Sequence, residues 1–116
     1  MNKSVSIDGV TYSIQSDDDY LGWVGDDFEP HMVQLFKTLI VPGDVVADIG
    51  ANIGLTALLF SSLAKTVYAF EPSASTYRFL EENLKTAHAN NVVAVNVGLG
   101  SKKESSTITF SDNNRS

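Results

Sequence analysis

The feature that most constrains the fold is the heptapeptide DIGANIG at residues 48–54, which stands between a short β-branched run and a longer apolar one. The preceding run, Val45–Ile49, is typical of a strand that is buried on both faces. The following run, Leu55–Leu63, carries a leucine stripe at helical spacing and predicts a core-facing helix. A strand, a glycine-containing loop and a helix in this order predict a parallel sheet that binds its ligand at the carboxyl ends of its strands.

The rest of the chain continues this alternation. Residues 66–70 predict a second buried strand, residues 73–88 a second helix and residues 92–97 a third strand. Right-handed crossovers would place the three strands in the spatial order 3-2-1. The predicted fold class is therefore α/β, a Rossmann-like βαβαβ half of a doubly wound sheet. A short hairpin strand at residues 107–110 and a polar tail at residues 111–116 follow.

The N-terminal part predicts a hairpin, an acidic loop and a helix. Residues 4–14 alternate apolar and polar around Asp8-Gly9, which is a strong hairpin signal. Residues 17–29 hold six acids and no base, so we expect a solvated loop in which Tyr20 and Trp23 pack as a lid. Pro30 suits the first position of the helix that follows.

We therefore expect the chain to form one domain with three parts. Residues 1–29 are the hairpin and acidic loop, residues 30–100 the cofactor-binding core, and residues 101–116 a hairpin and frayed tail. A length of 116 residues fits a single domain.

Composition excludes several function classes. The net charge of −6 disfavours a nucleic-acid surface and a polybasic membrane anchor. The absence of cysteine removes disulfides, thiolate nucleophiles and Cys-based zinc sites. The two histidines, His31 and His88, disfavour a His-rich metal site. Without an export signal or a 20-residue apolar stretch, we expect a cytoplasmic protein with no membrane span.

The loop residues suggest a close approach of ligand to backbone. Gly50 allows a sharp turn, and Asn52 is one of the few non-glycine residues that tolerate positive φ. Gly54 would let the start of the helix pack closely against the strand. Glu71 follows the second strand, where its two oxygens can accept from both hydroxyls of an adenosine ribose.

A dinucleotide site fits the loop poorly. With the first glycine of G-x-G-x-x-G aligned on Gly50, Asn52 and Leu55 stand where the other two glycines belong. The Asp48 carboxylate would repel a pyrophosphate and attract a cationic amino group. An NAD-binding oxidoreductase fragment therefore stays only as an alternative.

These residues carry a family resemblance. The pattern D-x-G-x-N-x-G, followed by Phe-Glu-Pro at residues 70–72, resembles the first two motifs of class I methyltransferases that use S-adenosylmethionine. The longer string PGDVVADIGANIG at residues 42–54 is similar to the FkbM family in particular. So are Phe-Glu-Pro at residues 28–30, Asn-Val-Val at residues 91–93 and Gly-Leu-Gly at residues 98–100. The match extends from about Trp23 to Phe110.

The resemblance implies cofactor-binding roles for ten residues: Glu29, Asp48, Gly50, Ala51, Asn52, Gly54, Glu71, Pro72, Gly98 and Leu99. The loop residues would line the methionine end of S-adenosylmethionine, and Glu71 would hold the ribose. Pro72, Gly98 and Leu99 would lie near the adenine, and Glu29 would border the same pocket. The resemblance implies no metal, and no residue is assigned as catalytic.

The implied activity is S-adenosylmethionine-dependent methylation of an oxygen on a sugar or small metabolite, with no nucleic-acid or membrane partner. In the family the sheet continues beyond the third strand, whereas this sequence ends at Ser116, so we expect a partial domain. Its first strand would be an open apolar edge that favours self-association. A non-catalytic S-adenosylmethionine-binding or assembly module is the main alternative.

Overall fold

The computed structural model describes residues 1–17 and 24–98. The expected lid residues Tyr20 and Trp23, Leu99, and the hairpin and tail at residues 101–116 lie outside the described residues. No helix within the described part is both long and apolar enough to cross a bilayer.

The chain begins with the predicted hairpin. Strand β1 (Asn2–Ile7) pairs antiparallel with β2 (Val10–Gln15), and Asp8 and Gly9 form the two-residue turn between them. Both turn residues have positive φ, 52° and 80°, as the tight turns that match strand twist require.

Three helices pack with the hairpin around one core. Helix α1 (Pro30–Leu39) begins at the predicted proline, and its Phe36 meets Phe60 of α2 (Leu55–Leu63) edge to face at 4.8 Å between ring centroids. Helix α3 (Ala74–Thr86) starts at Ser73, whose hydroxyl accepts a hydrogen bond from Thr76 N at 3.3 Å.

The parallel sheet has the predicted order. Strand β3 (Val45–Ile49) pairs with β4 (Thr66–Phe70), which pairs in turn with β5 (Val92–Val95). In the central strand β4, Val67, Ala69 and Phe70 are buried, and the other two residues are half-buried. This order brings the carboxyl ends of β3 and β4 side by side.

The prediction that β3 is buried on both faces is wrong. Val45 is 64% exposed and Ile49 is 54% exposed, whereas Asp48 on the opposite face is buried. Within the described residues β3 pairs only with β4 and is covered on one face alone, so its alternate residues face outward. Among the described residues no strand pairs with the outer edge of β3, and the open apolar edge expected there stays a prediction.

Smaller corrections concern element ends. The third strand ends at Val95 rather than at residue 97, and the helix predicted over residues 73–88 ends at Thr86. His88 therefore lies beyond the last helical turn, in a left-handed conformation with φ 56°. Left-handed residues of this kind are common where helices end, and Asn90 and Asn91 follow shortly after.

Candidate functional site

The loop from residue 48 to residue 54 turns through three left-handed residues. The φ angles are 72° at Gly50, 55° at Asn52 and 109° at Gly54. The prediction that Asn52 takes a positive φ in place of a glycine is confirmed. Gly54 does allow close packing, but its neighbour is not the strand: a Cβ there would lie 3.1 Å from Leu80 Cδ1 of α3.

The backbone amides of this loop bind the end of β4. Gly50 N and Ala51 N both donate to Phe70 O at 2.9 Å, and Asn52 N donates to Glu71 Oε1 at 2.8 Å. Because these three N–H groups already have acceptors inside the protein, they do not form a free cradle for phosphate. This geometry agrees with the poor fit of the dinucleotide pattern.

Glu71 connects the loop to α3. Its Oε2 accepts a hydrogen bond from Ser73 N at 3.1 Å, and the residue is 8% exposed. Asn96, just after β5, donates from Nδ2 to Glu71 O at 2.8 Å and to Pro72 O at 3.2 Å. The Glu71 carboxylate is thus held in place, while each of its oxygens retains a second lone pair that can accept from a ligand.

Asp48 is a buried carboxylate with an unsatisfied oxygen. The residue is 7% exposed, and its Oδ2 is a buried side-chain oxygen that has no hydrogen-bond partner among the described residues. Burial, and secondarily the charge of Glu71, raise the pKa of Asp48 from its ordinary 3.8 to about 6. A buried polar atom without a partner is costly, so this oxygen is suited to a cationic or hydrogen-donating ligand.

Open space lies beside the same loop. A Cβ added at Gly50 would meet no atom within 4 Å, although the backbone there is left-handed. A ligand can therefore approach the Gly50 backbone closely. The orphaned Asp48 oxygen and the open space at Gly50 together fit a nucleoside cofactor that carries an amino group.

Of the remaining predicted residues, three lie in the loop or near Glu71, and Glu29 lies at the start of α1. Ala51 is buried in the loop, Pro72 is exposed beside Glu71, and Gly98 lies two residues beyond Asn96. Glu29 is exposed at the start of α1, and its described hydrogen bond is a backbone one, to Val33 N. That bond does not join Glu29 to the loop. Among the described residues, no three His, Asp or Glu side chains cluster as metal ligands would.

Sequence reasoning missed two asparagines. Asn83 of α3 is fully buried and donates from Nδ2 to Ile53 O of the loop at 2.8 Å, and Asn96 holds the turn after β4. The signal for Asn83 was present: it stands on the same helix face as Leu80 and Leu84, where an apolar residue is expected. Its partners depend on tertiary packing, so the sequence could not name them.

The sheet order, the left-handed loop after β3 and the acid after β4 define the Rossmann-like fold of class I methyltransferases, and solved structures show this fold. The structure of Trm5b from Pyrococcus abyssi matches 80% of this chain and 27% of its own length, with a TM-score of 0.60 and 25% identity. The structure of TYW2 from M. jannaschii in complex with AdoMet matches 81% of this chain and 42% of its own, with a TM-score of 0.62 and 23% identity.

Sequence comparison gives shorter matches. No family model matches this chain. The AMB antimetabolite synthetase AmbE of Pseudomonas aeruginosa is 41% identical over 75 residues, which cover 62% of this chain and 4% of that protein. The tRNA (guanine(37)-N(1))-methyltransferase Trm5b of Pyrococcus abyssi is 36% identical over 72 residues, which cover 62% of this chain and 21% of that protein. The chain thus spans about a fifth or less of these relatives.

Proposed function

We propose that this chain is the S-adenosylmethionine-binding part of a class I methyltransferase of the FkbM kind. The observation that carries the proposal is the buried Asp48 Oδ2, which has no partner among the described residues and lies near the carboxyl end of β3, two residues before the open space at Gly50. The TYW2 structure, which has the same fold, is a complex with AdoMet, and this supports the choice of cofactor.

Each part of the cofactor has a candidate partner in this site. Asp48 would accept from the ammonium group of the methionine end, which supplies both the charge and the donor that its oxygen lacks. Glu71 would accept from the ribose hydroxyls through its remaining lone pairs. For the adenine we keep the predicted residues Pro72, Gly98 and Leu99.

Bound S-adenosylmethionine supplies an electrophilic methyl group on a sulfonium. The residues of this chain would hold the nucleoside and methionine ends, and so fix the direction in which that methyl group faces an acceptor. The described residues include no side chain that we assign as a general base. Acceptor deprotonation is therefore not part of this proposal.

We propose a small molecule, with an oxygen on a sugar or metabolite as the methylated atom, as the acceptor. The net charge of −6 supports this choice because RNA surfaces need clustered cations. RNA is the second candidate, since the name of Trm5b makes that relative a tRNA methyltransferase. Methyl-labelled S-adenosylmethionine, offered with a set of sugars or with unmodified tRNA, distinguishes the two by which pool gains label. If neither pool gains label while S-adenosylmethionine still binds, the non-catalytic module is favoured.

We keep the cytoplasm as the proposed location, because the sequence contains no cysteine.

The binding part of the proposal is tested at Glu71. Glu71→Gln should weaken S-adenosylhomocysteine binding by roughly 30- to 150-fold, since one charge-assisted acceptor is lost and the other is mispaired. The same substitution should change the affinity of the 2′-deoxy analogue much less. Glu82→Gln, at an exposed acid of α3, removes the same charge outside the site and should leave both affinities unchanged. Equal losses for the two ligands in Glu71→Gln would refute the ribose assignment.

A further inference from the structure

The fully buried Asn83 of α3 contacts two separate parts of the chain. Its Nδ2 donates to Ile53 O of the loop at 2.8 Å and to Gln15 O, at the end of β2, at 3.0 Å. Its Oδ1 accepts from Gln15 N at 2.8 Å. One side chain thus joins the N-terminal hairpin to the 48–54 loop.

The orientation of this amide is fixed by its partners. Reversing it would place its NH2 group against Gln15 N–H and its oxygen against two carbonyls, so all three hydrogen bonds would be lost. Aspartate has the same shape but no donor for Gln15 O or Ile53 O. Leucine has a similar volume and supplies none of the three bonds.

The loop rests on α3 at a second point, one turn earlier. Gly54 lies so close to Leu80 that a Cβ would come within 3.1 Å of its side chain. Leu80 and Asn83 are three residues apart and therefore share a helix face. This face of α3 supports both the left-handed backbone of Gly54 and the carbonyl that precedes it.

We infer that Asn83 is a positioning residue for the cofactor loop, and that docking of the β1–β2 hairpin on it is required for full cofactor affinity. When the hairpin pairs with Asn83 through both backbone groups of Gln15, the amide is held in the one orientation that binds Ile53 O. Loss of either contact leaves a buried polar group unpaired and frees the loop to change its conformation. The inference rests on the proposed function only for its affinity readout.

The chain offers a matched control in Asn91. This asparagine also makes several side-chain bonds, donating from Nδ2 to Ser61 O at 2.9 Å and to Ala64 O at 3.2 Å. Those partners lie at the carboxyl-terminal end of α2, so Asn91 connects helix and sheet without contacting the loop. Asn91→Leu should lower stability and leave the cofactor loop as it is.

A second variant acts on the other partner. In an antiparallel pair, successive residues direct their backbone groups alternately toward and away from the neighbouring strand. Ser16 N donates to Met1 O, so the backbone N–H of the preceding residue, Gln15, points away from β1 and donates to Asn83 Oδ1. Gln15→Pro therefore removes the donor to Asn83 while keeping the hairpin pairing. Because the two changes break the same contact, the double variant should lose no more affinity than the worse single variant.

The test combines hydrogen exchange with titration of the full 116-residue chain. In Asn83→Leu and Gln15→Pro, the amides of Asn52 and Gly54 should exchange at least tenfold faster relative to those of β4, and the affinity for S-adenosylhomocysteine should fall at least tenfold. Asn91→Leu should change neither quantity. Unchanged loop exchange in Asn83→Leu, or equal acceleration in Asn91→Leu, would overturn the inference. If the wild type does not bind the nucleoside, the proposed function fails, and the exchange measurement alone decides the role of Asn83.

Discussion

At the scale of one residue, Asp48 shows how a group in the candidate site can oppose the stability of the folded protein. Its buried Oδ2 has no partner in the described part of the chain, and burial raises the pKa of Asp48 to about 6, so at neutral pH the folded protein holds an ionised group in an unfavourable environment. A ligand that brings a positive charge would remove this cost. The same group is therefore expected to weaken the free protein and to strengthen binding.

Replacement of Asp48 separates these two effects. At pH 7.5, Asp48→Asn should raise the free energy of unfolding by on the order of 1 kcal/mol, because it removes a charge that folding disfavours. It should also weaken binding of S-adenosylmethionine by roughly 30-fold or more, because the ammonium loses its charged partner. Thermal melts and titration calorimetry measure the two quantities. Asp44→Asn, at an acid just before the same strand, should leave the affinity unchanged. A variant that loses stability and affinity together would point to a purely structural Asp48.

The raised pKa of Asp48 also predicts a pH dependence. The unfolded carboxyl ionises near 3.8 and the folded one near 6, so the unfolded chain binds fewer protons between these values. This group therefore lowers stability as pH rises from about 4 to about 6, and its effect is complete above that pH. Binding of a cationic ligand favours the ionised form, so affinity should rise up to tenfold per pH unit below about 6 and then level off. A flat profile in the wild type would exclude Asp48 as the partner of the cation.

At the scale of elements, two glycines provide a matched test of the loop. Gly50 and Gly9 both have left-handed backbones, with φ 72° and 80°, and neither would meet another atom within 4 Å if a Cβ were added. Alanine should cost each position about 1 kcal/mol of stability through the backbone alone. Only Gly50→Ala should also reduce cofactor affinity, by tenfold or more, since its methyl group enters the space kept for the ligand. Equal affinities in the two variants would show that the ligand does not contact Gly50.

The elements themselves were largely predictable from local signals. The bounds of α2 and β4 follow the sequence expectation, because a glycine loop and turn residues delimit both segments. The hairpin follows from Asp8-Gly9, and the positive φ of Asn52 follows from its side-chain type. The burial of Val45–Ile49 was not predictable in the same way, because it depends on what packs on each face of β3 rather than on its own apolar residues.

The candidate site was predictable only in part. The sequence indicated Asp48, Gly50 and Glu71 through their positions at or just after the ends of strands, and the structure joins Glu71 to the loop through Asn52 N. It did not indicate Asn83 or Asn96, whose partners are backbone groups of distant segments. Asparagine side chains have no fixed spacing relative to such groups, so their roles appear only once the helices are packed.

At the scale of the whole molecule, the two edges of the sheet differ. On the β5 edge, Ala94 O accepts from Tyr77 O–H and Val92 N donates to Ala89 O, so part of this edge is already paired. On the β3 edge, Ala47 and its alternate neighbours turn their backbone groups away from β4 and expose apolar side chains. An edge of this kind is a site for strand pairing with another chain.

We therefore expect the 116-residue chain to self-associate through β3. Ala47→Pro removes one outward N–H without disturbing the pairing with β4, and it should shift the sedimentation profile to monomer. Ala94→Pro, on the opposite edge, should leave association unchanged. A wild-type chain that sediments as a compact monomer at all concentrations would show that the β3 edge does not associate.

The loop between Asp48 and Gly54, together with Glu71, is proposed to bind the adenosylated methionine moiety. This proposal is tested by calorimetric titration of the folded wild-type chain at pH 7.5 with S-adenosylhomocysteine, and with NAD as a second adenosine ligand. We expect saturable binding of about one S-adenosylhomocysteine per chain and no binding of NAD. Binding of NAD alone, or no heat with either ligand on a chain shown to be folded, would contradict the proposal.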